Sequence, residues 1–349
     1  MVKQLPLLGL VIILLNIFSS GCTSVPAMPV AEPSAKPVLT VYARVTAVSR
    51  DVELELVKAF EAKHQAQVNL VNGEDPDLFA KFVVEKENGL DTADVLAGWN
   101  PVGILELQER GWLEPYAPPA LQDRLPERFR QPLVIRHLGL TTLAYNPGKL
   151  GDTPPPTSFA DLVKPEYRDK VEMVDPIISS TALKVVGHLA YSTPLGWTYW
   201  EQMWANGLRL VGDWGQLPKD LVDPASPVAV VIAGYGLVYP AMAAGQPLEV
   251  VIPAEGLIAG EYVAAIATEA KQPELARAFV EEVIFHPKLL QVWADHYLPV
   301  TITGVEAPAG TPGLDQVVIT DWKLLQEKEL EIKTQWQIIQ SQPITQQSQ

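Results

Sequence analysis

Three adjacent hydroxyl residues, Ser179, Ser180 and Thr181, carry the clearest binding chemistry of the chain. They stand between an apolar run that ends at Asp175-Pro176 and a stretch in which Ala182, Val185, Val186, Leu189 and Ala190 recur at helical spacing. A strand that hands over to a helix in this way leaves the first backbone N–H groups of the helix without intrahelical partners. Their partial positive charge suits an anion or a ligand carboxylate, and the hydroxyls add hydrogen bonds. The plainer reading is that Ser179 or Ser180 only caps the helix.

The neighbouring pattern supplies the elements that would position this turn. Apolar periodicity predicts a strand over 38–42 and a helix over 51–64 with Val52, Leu56, Val57 and Phe60 on one face. A strand follows over 67–71, and then a helix opening at Asp75-Pro76. Another strand over 93–98 and a helix over 102–110, closed by Gly111, complete a β-α repeat. This alternation argues for a parallel, doubly wound α/β sheet. An extended run over 138–146, with no helix before it, reads as a crossing into a second lobe. That lobe adds a short helix over 158–163, a Trp-rich helix over 196–206, and strands over 208–211, 228–232 and 248–252. A strand over 262–267 and helices over 273–285, 287–296 and 322–339 close the chain. The expected organisation is lobe 1 from 38–140 with 253–300, lobe 2 from 141–252, and a C-terminal segment 301–349 packed on the lobes with a frayed Gln-rich end. Ligands of open α/β sheets bind beyond the carboxyl ends of the strands. Arg44, Trp99 with Asn100, the hydroxyl turn and Tyr235 stand at such ends, where two facing lobes bury a small ligand well.

The N-terminus reads as an address. Lys3 precedes a short apolar run over 7–15, too short to span a bilayer and suited to a signal-peptide core. Ser19-Ser20-Gly21 before the single cysteine, Cys22, resembles a bacterial lipobox, with Ser19 where Leu is usual. On that reading 1–21 is removed and Cys22 is lipidated, which holds the protein on an extracytoplasmic membrane surface, periplasmic or at the cell surface. The Pro-, Ala- and Ser-rich segment 22–37 reads as a tether. A lone cysteine excludes an intramolecular disulfide and any multi-cysteine metal site. With 48% hydrophobic residues the 349-residue chain can bury sizeable cores, and a formal charge of −15 argues against nucleic acid as a partner.

Enzyme constellations are missing. The histidines at 64, 137, 188, 286 and 296 are scattered, and no H-E-x-x-H, G-x-S-x-G, P-loop or G-x-G-x-x-G occurs. Glu281-Glu282 reads as a solvated helix face. The expectation is a protein that binds without catalysis and without a cofactor.

Short segments in a fixed order resemble the extracellular solute-binding proteins of ABC importers. Leu39-Thr40-Val41-Tyr42-Ala43 is similar to the first strand of the type II periplasmic-binding-protein group, and Ala93-Asp94-Val95-Leu96 to its "ADV" strand. Gly111-Trp112-Leu113-Glu114-Pro115-Tyr116 resembles its "GxLxPY" segment, and Ser158-Phe159-Ala160-Asp161-Leu162 its "SWxDL" element. Asp175-Pro176 with Ser179-Ser180-Thr181 is similar to its ligand-contacting turn, and Ile252-Pro253-Ala254-Glu255-Gly256 to "YPxEG". Pro273-Glu274-Leu275-Ala276-Arg277-Ala278-Phe279 resembles "PExAxxF", and Leu298-Pro299-Val300 the closing "PV". The resemblance implies two lobes joined by two hinge crossings, which close on a solute as a monomer and present it to an ABC permease.

Iron(III) binders of this group use two adjacent tyrosines after the strand that corresponds to 228–232. Tyr235 matches the first, Gly236 replaces the second, and Tyr239 lies one helical turn on. One phenolate is thin for a hard cation. An organic or oxyanion-bearing solute is therefore favoured over iron(III), with Tyr235 as the metal-ligand candidate if iron is bound. Arg44 would pair with a carboxylate or phosphonate, and Trp99, Trp214 and Tyr235 would stack on a ring or cation. Each of these aromatics is equally well explained as core or rim packing. A receptor that reports to a membrane sensor is the other reading of the same fold.

Overall fold

Two long strands, Ile135–Tyr145 and Leu257–Ala267, run side by side through the middle of the molecule and tie its halves together. The computed structural model describes residues 36–114, 116–129, 133 and 135–343. The leader, Cys22 and nearly all of the tether lie outside these residues, as does the Gln-rich end.

The strands in chain order are β1 (Val38–Ala43), β2 (Gln67–Asn72), β3 (Val95–Trp99), β4 (Leu113–Glu114) and β5 (Ile135–Tyr145). They continue with β6 (Val171–Val174), β7 (Arg209–Val211), β8 (Val230–Gly234), β9 (Glu249–Val251), β10 (Leu257–Ala267) and β11 (Val317–Val318). The main sheet runs β2-β1-β3-β10-β5-β8-β6-β7. Pairing is parallel within β2-β1-β3 and within β8-β6-β7, and antiparallel through β3-β10-β5-β8. Parallel trios need covered faces on both sides, which the intervening helices supply.

The apolar patterning sorts into two cores. One gathers Leu39, Val41, Phe60, Phe82, Leu96 and Trp293, and the other Leu143, Phe159, Val186, Trp200, Val231 and Trp336. The division falls along the crossing strands: Leu138 and Leu140 of β5 join the first core, Leu143 and Ala144 the second.

Three elements differ from the sequence expectation. The closing strand starts at Leu257 rather than 262, because Leu257, Ile258 and Ala259 extend the ladder with β5. The helix expected over 273–285 is α-helical over Pro273–Phe279 and continues as a π-helical turn, Val280–Ile284. A further helix, Gln216–Val222, follows Trp214. No helix among the described residues is long and apolar enough to cross a membrane.

The terminal helix, Trp322–Gln340, packs on the helices Pro101–Glu109 and Ser180–Tyr191, one from each half. It lies so close to Ser180–Tyr191 that a Cβ at Gly187 would come within 2.6 Å of Leu325 and 2.7 Å of Ile332. Gln326 donates to Glu109 at 2.9 Å on one side, and Tyr191 donates to Glu331 at 2.5 Å on the other.

Candidate functional site

The hydroxyl turn forms as its sequence predicts, and its members divide the work. Ser179 caps the helix Ser180–Tyr191: its Oγ accepts from the Ala182 backbone N–H at 3.3 Å and from the Trp214 indole N–H at 3.1 Å. Ser180 and Thr181, one and two residues into the helix, face the groove between the halves.

Across that groove stands the start of the helix Asp75–Glu87 together with Asn100. Asn100 caps the helix Pro101–Glu109 by accepting from the Val102 N–H at 3.1 Å. Its own backbone N–H and side-chain amide both donate to Asp75 Oδ2, at 3.1 and 2.8 Å. Asp75 is only 6% exposed, and burial raises its pKa while Arg44 and Asn100 pull it back down.

Between these two fronts and the terminal helix lies a cavity of about 400 Å³. Phe79, Trp99, Ile177, Leu183 and Ile332 give it apolar walls. Glu106, Glu329 and Lys333 add charge, and Glu329 and Lys333 pair with one another. This volume is that of a small-molecule pocket.

A much smaller recess of about 10 Å³ lies next to it, and the two share Asp75, Asn100, Ser180, Lys184 and Trp322. The recess exists because one edge of β10 is open there. β11 pairs with β10 at Leu257 and Ile258, β3 from Val263 onward, and Gly260, Glu261 and Tyr262 line the gap between. The β10 register also slips at Tyr262/Val263, the kind of bulge that re-aims side chains beside a site. Lys184, 4% exposed on the Ser180–Tyr191 helix, donates from Nζ to the Ala259 carbonyl at 2.6 Å. Thr320 donates to the same carbonyl at 3.2 Å. Arg44 enters from the end of β1, contacts Glu74 at 3.1 Å and donates to the Tyr262 hydroxyl at 3.4 Å.

Charge in the recess is mixed and unusually bare. Glu261 is 1% exposed, and neither of its oxygens closes a hydrogen bond among the described residues. Burial pushes its carboxyl up to about 7, against the opposing pull of Lys184 and Trp322. Burial lowers the Lys184 ammonium to about 8, with Glu261 acting in the other direction. Asp75 Oδ1, Arg44 Nε and the Trp322 indole N–H also lack hydrogen-bond partners. Buried polar atoms in native folds are almost always bonded, so several orphans in one place mark a ligand site.

The structure gathers Arg44, Asn100, Ser180 and Thr181 around the recess, with Trp99 and Asn100 on the larger cavity. It leaves Ser179, Trp214, Tyr235 and Tyr239 off both. Trp99 is 1% exposed and its N–H is spent on the Tyr42 carbonyl at 3.2 Å, so little of the indole is open to stack on a solute. Trp214 is turned onto Ser179. Tyr235 is 5% exposed and donates its hydroxyl to the Gly310 carbonyl at 2.6 Å, and burial raises its pKa. Tyr239 stacks on Tyr235 at 5.1 Å and meets Tyr297 at 4.7 Å. The chain's own C-terminal segment covers the place where Tyr235 would hold iron(III) if iron were bound. Among the described residues, no group of three or more His, Cys, Asp or Glu side chains could hold a metal ion.

Sequence reasoning missed Asp75, Lys184, Glu261 and Trp322. A signal was present for two of them. Lys184 interrupts Ala182-Leu183-Val185-Val186, and Glu261 interrupts Leu257-Ile258-Ala259 and Val263-Ala264-Ala265. A lone charge within an otherwise buried run is rare unless it has a task.

A family model described as bacterial extracellular solute-binding protein matches residues 91–327. A protein of Sinorhizobium fredii named "Probable ABC transporter periplasmic-binding protein y4fP" is 26% identical over 152 residues, 41% of this chain and 42% of that protein. The match thus spans less than half of that relative's length. The periplasmic binding protein AfuA of Actinobacillus pleuropneumoniae, solved with exogenous fructose-6-phosphate bound, superposes with a TM-score of 0.71 at 21% identity. That superposition covers 88% of this chain and 100% of AfuA. Iron-bound HitA of Pseudomonas aeruginosa gives a TM-score of 0.70 at 17% identity, over 87% of this chain and 99% of HitA. At these identities the two structures establish the shared fold.

Proposed function

The chain belongs to the bacterial extracellular solute-binding protein family, and from that premise we propose that it captures a small organic solute between its halves and delivers it to an ABC import permease. The observation that carries this reading is the 400 Å³ cavity between Asp75–Asn100 on one side and Pro176–Lys184 on the other, which continues into a recess of unpartnered buried charge. A solute that touches both fronts favours the closed arrangement over the open one, and a permease can read that difference.

An iron(III) cargo is the weaker reading, because the Tyr235 hydroxyl is bonded to Gly310. Anchoring through lipidated Cys22 fits the same role: it keeps a captured solute beside the membrane. Metabolic labelling with a fatty acid tests it, and a Cys22→Ser chain should lose the label.

The test of the binding role is a thermal-shift panel of amines, polyamines, thiamine, phosphonates and iron(III). A ligand at 100 times its Kd stabilises by ~2.7 kcal/mol. Stabilisation by one panel member, lost in Ser180→Trp, supports the proposal. A protein that responds to none and retains no solute on purification contradicts it.

A further inference from the structure

The recess specifies what the solute carries at its inner end. Its volume of about 10 Å³ is room for about one heavy atom. Into that space face Asp75 Oδ1 from one half and the Glu261 carboxylate from β10, three acceptor oxygens with no hydrogen bond closed. The donors nearby are partly committed: Lys184 donates to the Ala259 carbonyl, and Arg44 pairs with Glu74 and donates to Tyr262, although Arg44 Nε closes no hydrogen bond and the Ser180 and Thr181 hydroxyls also line the recess. The Trp322 indole N–H and the backbone N–H groups of Glu261 and Thr320 lie close enough to lower the Glu261 pKa, yet none closes a hydrogen bond to its oxygens. Counted by charge, Arg44 and Lys184 balance Asp75 and Glu261 in the recess, and the largely exposed Glu74 beside Arg44 tips its surroundings negative.

We propose that this recess is a subsite for a protonated primary amine, and that the solute is an organic amine whose apolar body lies in the adjoining cavity. The inference rests on the cleft being the solute site. An ammonium fits on two counts: it is a single heavy atom, and it brings three charge-assisted donors to three waiting oxygens. A guanidinium is too large for the recess. A hydroxyl brings one donor and no charge. A carboxylate or phosphonate would set negative charge against Asp75 and Glu261. The apolar walls at Phe79, Leu183 and Ile332 suit a hydrocarbon or aromatic body.

Calorimetry with two matched probe sets tests the proposal: phenethylamine, phenethyl alcohol and hydrocinnamate, and hexylamine, hexanol and hexanoate. Each set keeps one body and changes only the head. The amine of at least one set should bind about tenfold or more tightly than its alcohol, with the acid weakest. Asp75→Asn and Glu261→Gln, which lie on different elements, should each reduce amine affinity about tenfold and reduce alcohol affinity by much less. An acid or alcohol that matches its amine overturns the proposal, and so does a lack of binding by both amines. If such an acid or alcohol loses its binding in Ser180→Trp, the cleft stands as the solute site and only the amine is overturned.

Discussion

The recess at Asp75 and Glu261 and the aromatic stack at Tyr235 and Tyr239 belong to the same sheet system, and both hold residues that bind ligands in other proteins. They differ in how their polar atoms are spent. In the stack, the Tyr235 hydroxyl is bonded to Gly310 and the rings of Tyr239 and Tyr297 fill the remaining space. In the recess, three carboxylate oxygens lie buried without a partner. Residue type alone favours the tyrosines as ligand groups. The satisfaction of buried atoms reverses that order, because leaving such an atom unpaired costs ~1–3 kcal/mol, a cost the solute would remove.

The contrast can be broken most strongly by filling one region and leaving the other intact. Ser180→Trp places an indole at the shared mouth of both cavities, on an exposed helix start that tolerates the change. Solute affinity should fall about 100-fold or more, equivalent to ~2.7 kcal/mol, with little change in melting temperature. Unchanged affinity would move the site elsewhere.

Gly310→Ala attacks the stack. Gly310 has φ +92° and an added Cβ would lie 1.7 Å from the Tyr239 hydroxyl. Overpacking together with a left-handed backbone predicts a loss of ~2 kcal/mol in stability, read by denaturant unfolding. Affinity measured on the folded protein should be unaltered.

Acidity sharpens the comparison from the recess side. Glu261, at about 7, faces Lys184, Trp322, Arg44, Asp75 and its neighbour Tyr262. Its ionised form is the one that receives an ammonium, and it is lost as pH falls through that value. Lys184, at about 8, sheds its competing charge as pH rises. Both act in one direction, so amine affinity should increase about tenfold from pH 6 to pH 8, ~1.4 kcal/mol, while the probe amine stays protonated. A flat or falling profile contradicts the assignment of Glu261.

Tyr235→Phe deletes one buried hydrogen bond and should cost ~1 kcal/mol of stability with affinity within about twofold of the parent. Ser179→Ala removes a helix cap and a partner of Trp214, and a similar or smaller loss is expected, again without a change in binding. Weakened binding in Tyr235→Phe would return the stack to the site.

Local pattern made much of this molecule legible. The helix Arg50–His64, strands β1 and β3, and the strand-to-helix handover at Ser179 follow from periodicity and capping chemistry that act within a few residues. Arg44, Asn100, Ser180 and Thr181 were readable because strand ends and helix starts are where such groups collect. What sequence could not give is contact between distant segments. Tyr235 is closed off by a residue 75 positions away, and Trp322 reaches the recess from a helix that packs on both halves. Glu261 sits where β10 has a free edge, a gap that depends on where β3 and β11 pair.

The central claim is that the groove between Asp75–Asn100 and Ser180–Lys184 holds the solute. Native mass spectrometry of the protein purified gently from cells tests it most directly, with the wild-type and Ser180→Trp chains prepared side by side. The wild-type chain should carry one small molecule per polypeptide, released on mild activation, and Ser180→Trp should run as the bare chain. A wild-type chain with no adduct, or a Ser180→Trp chain that keeps the same adduct, would contradict the account.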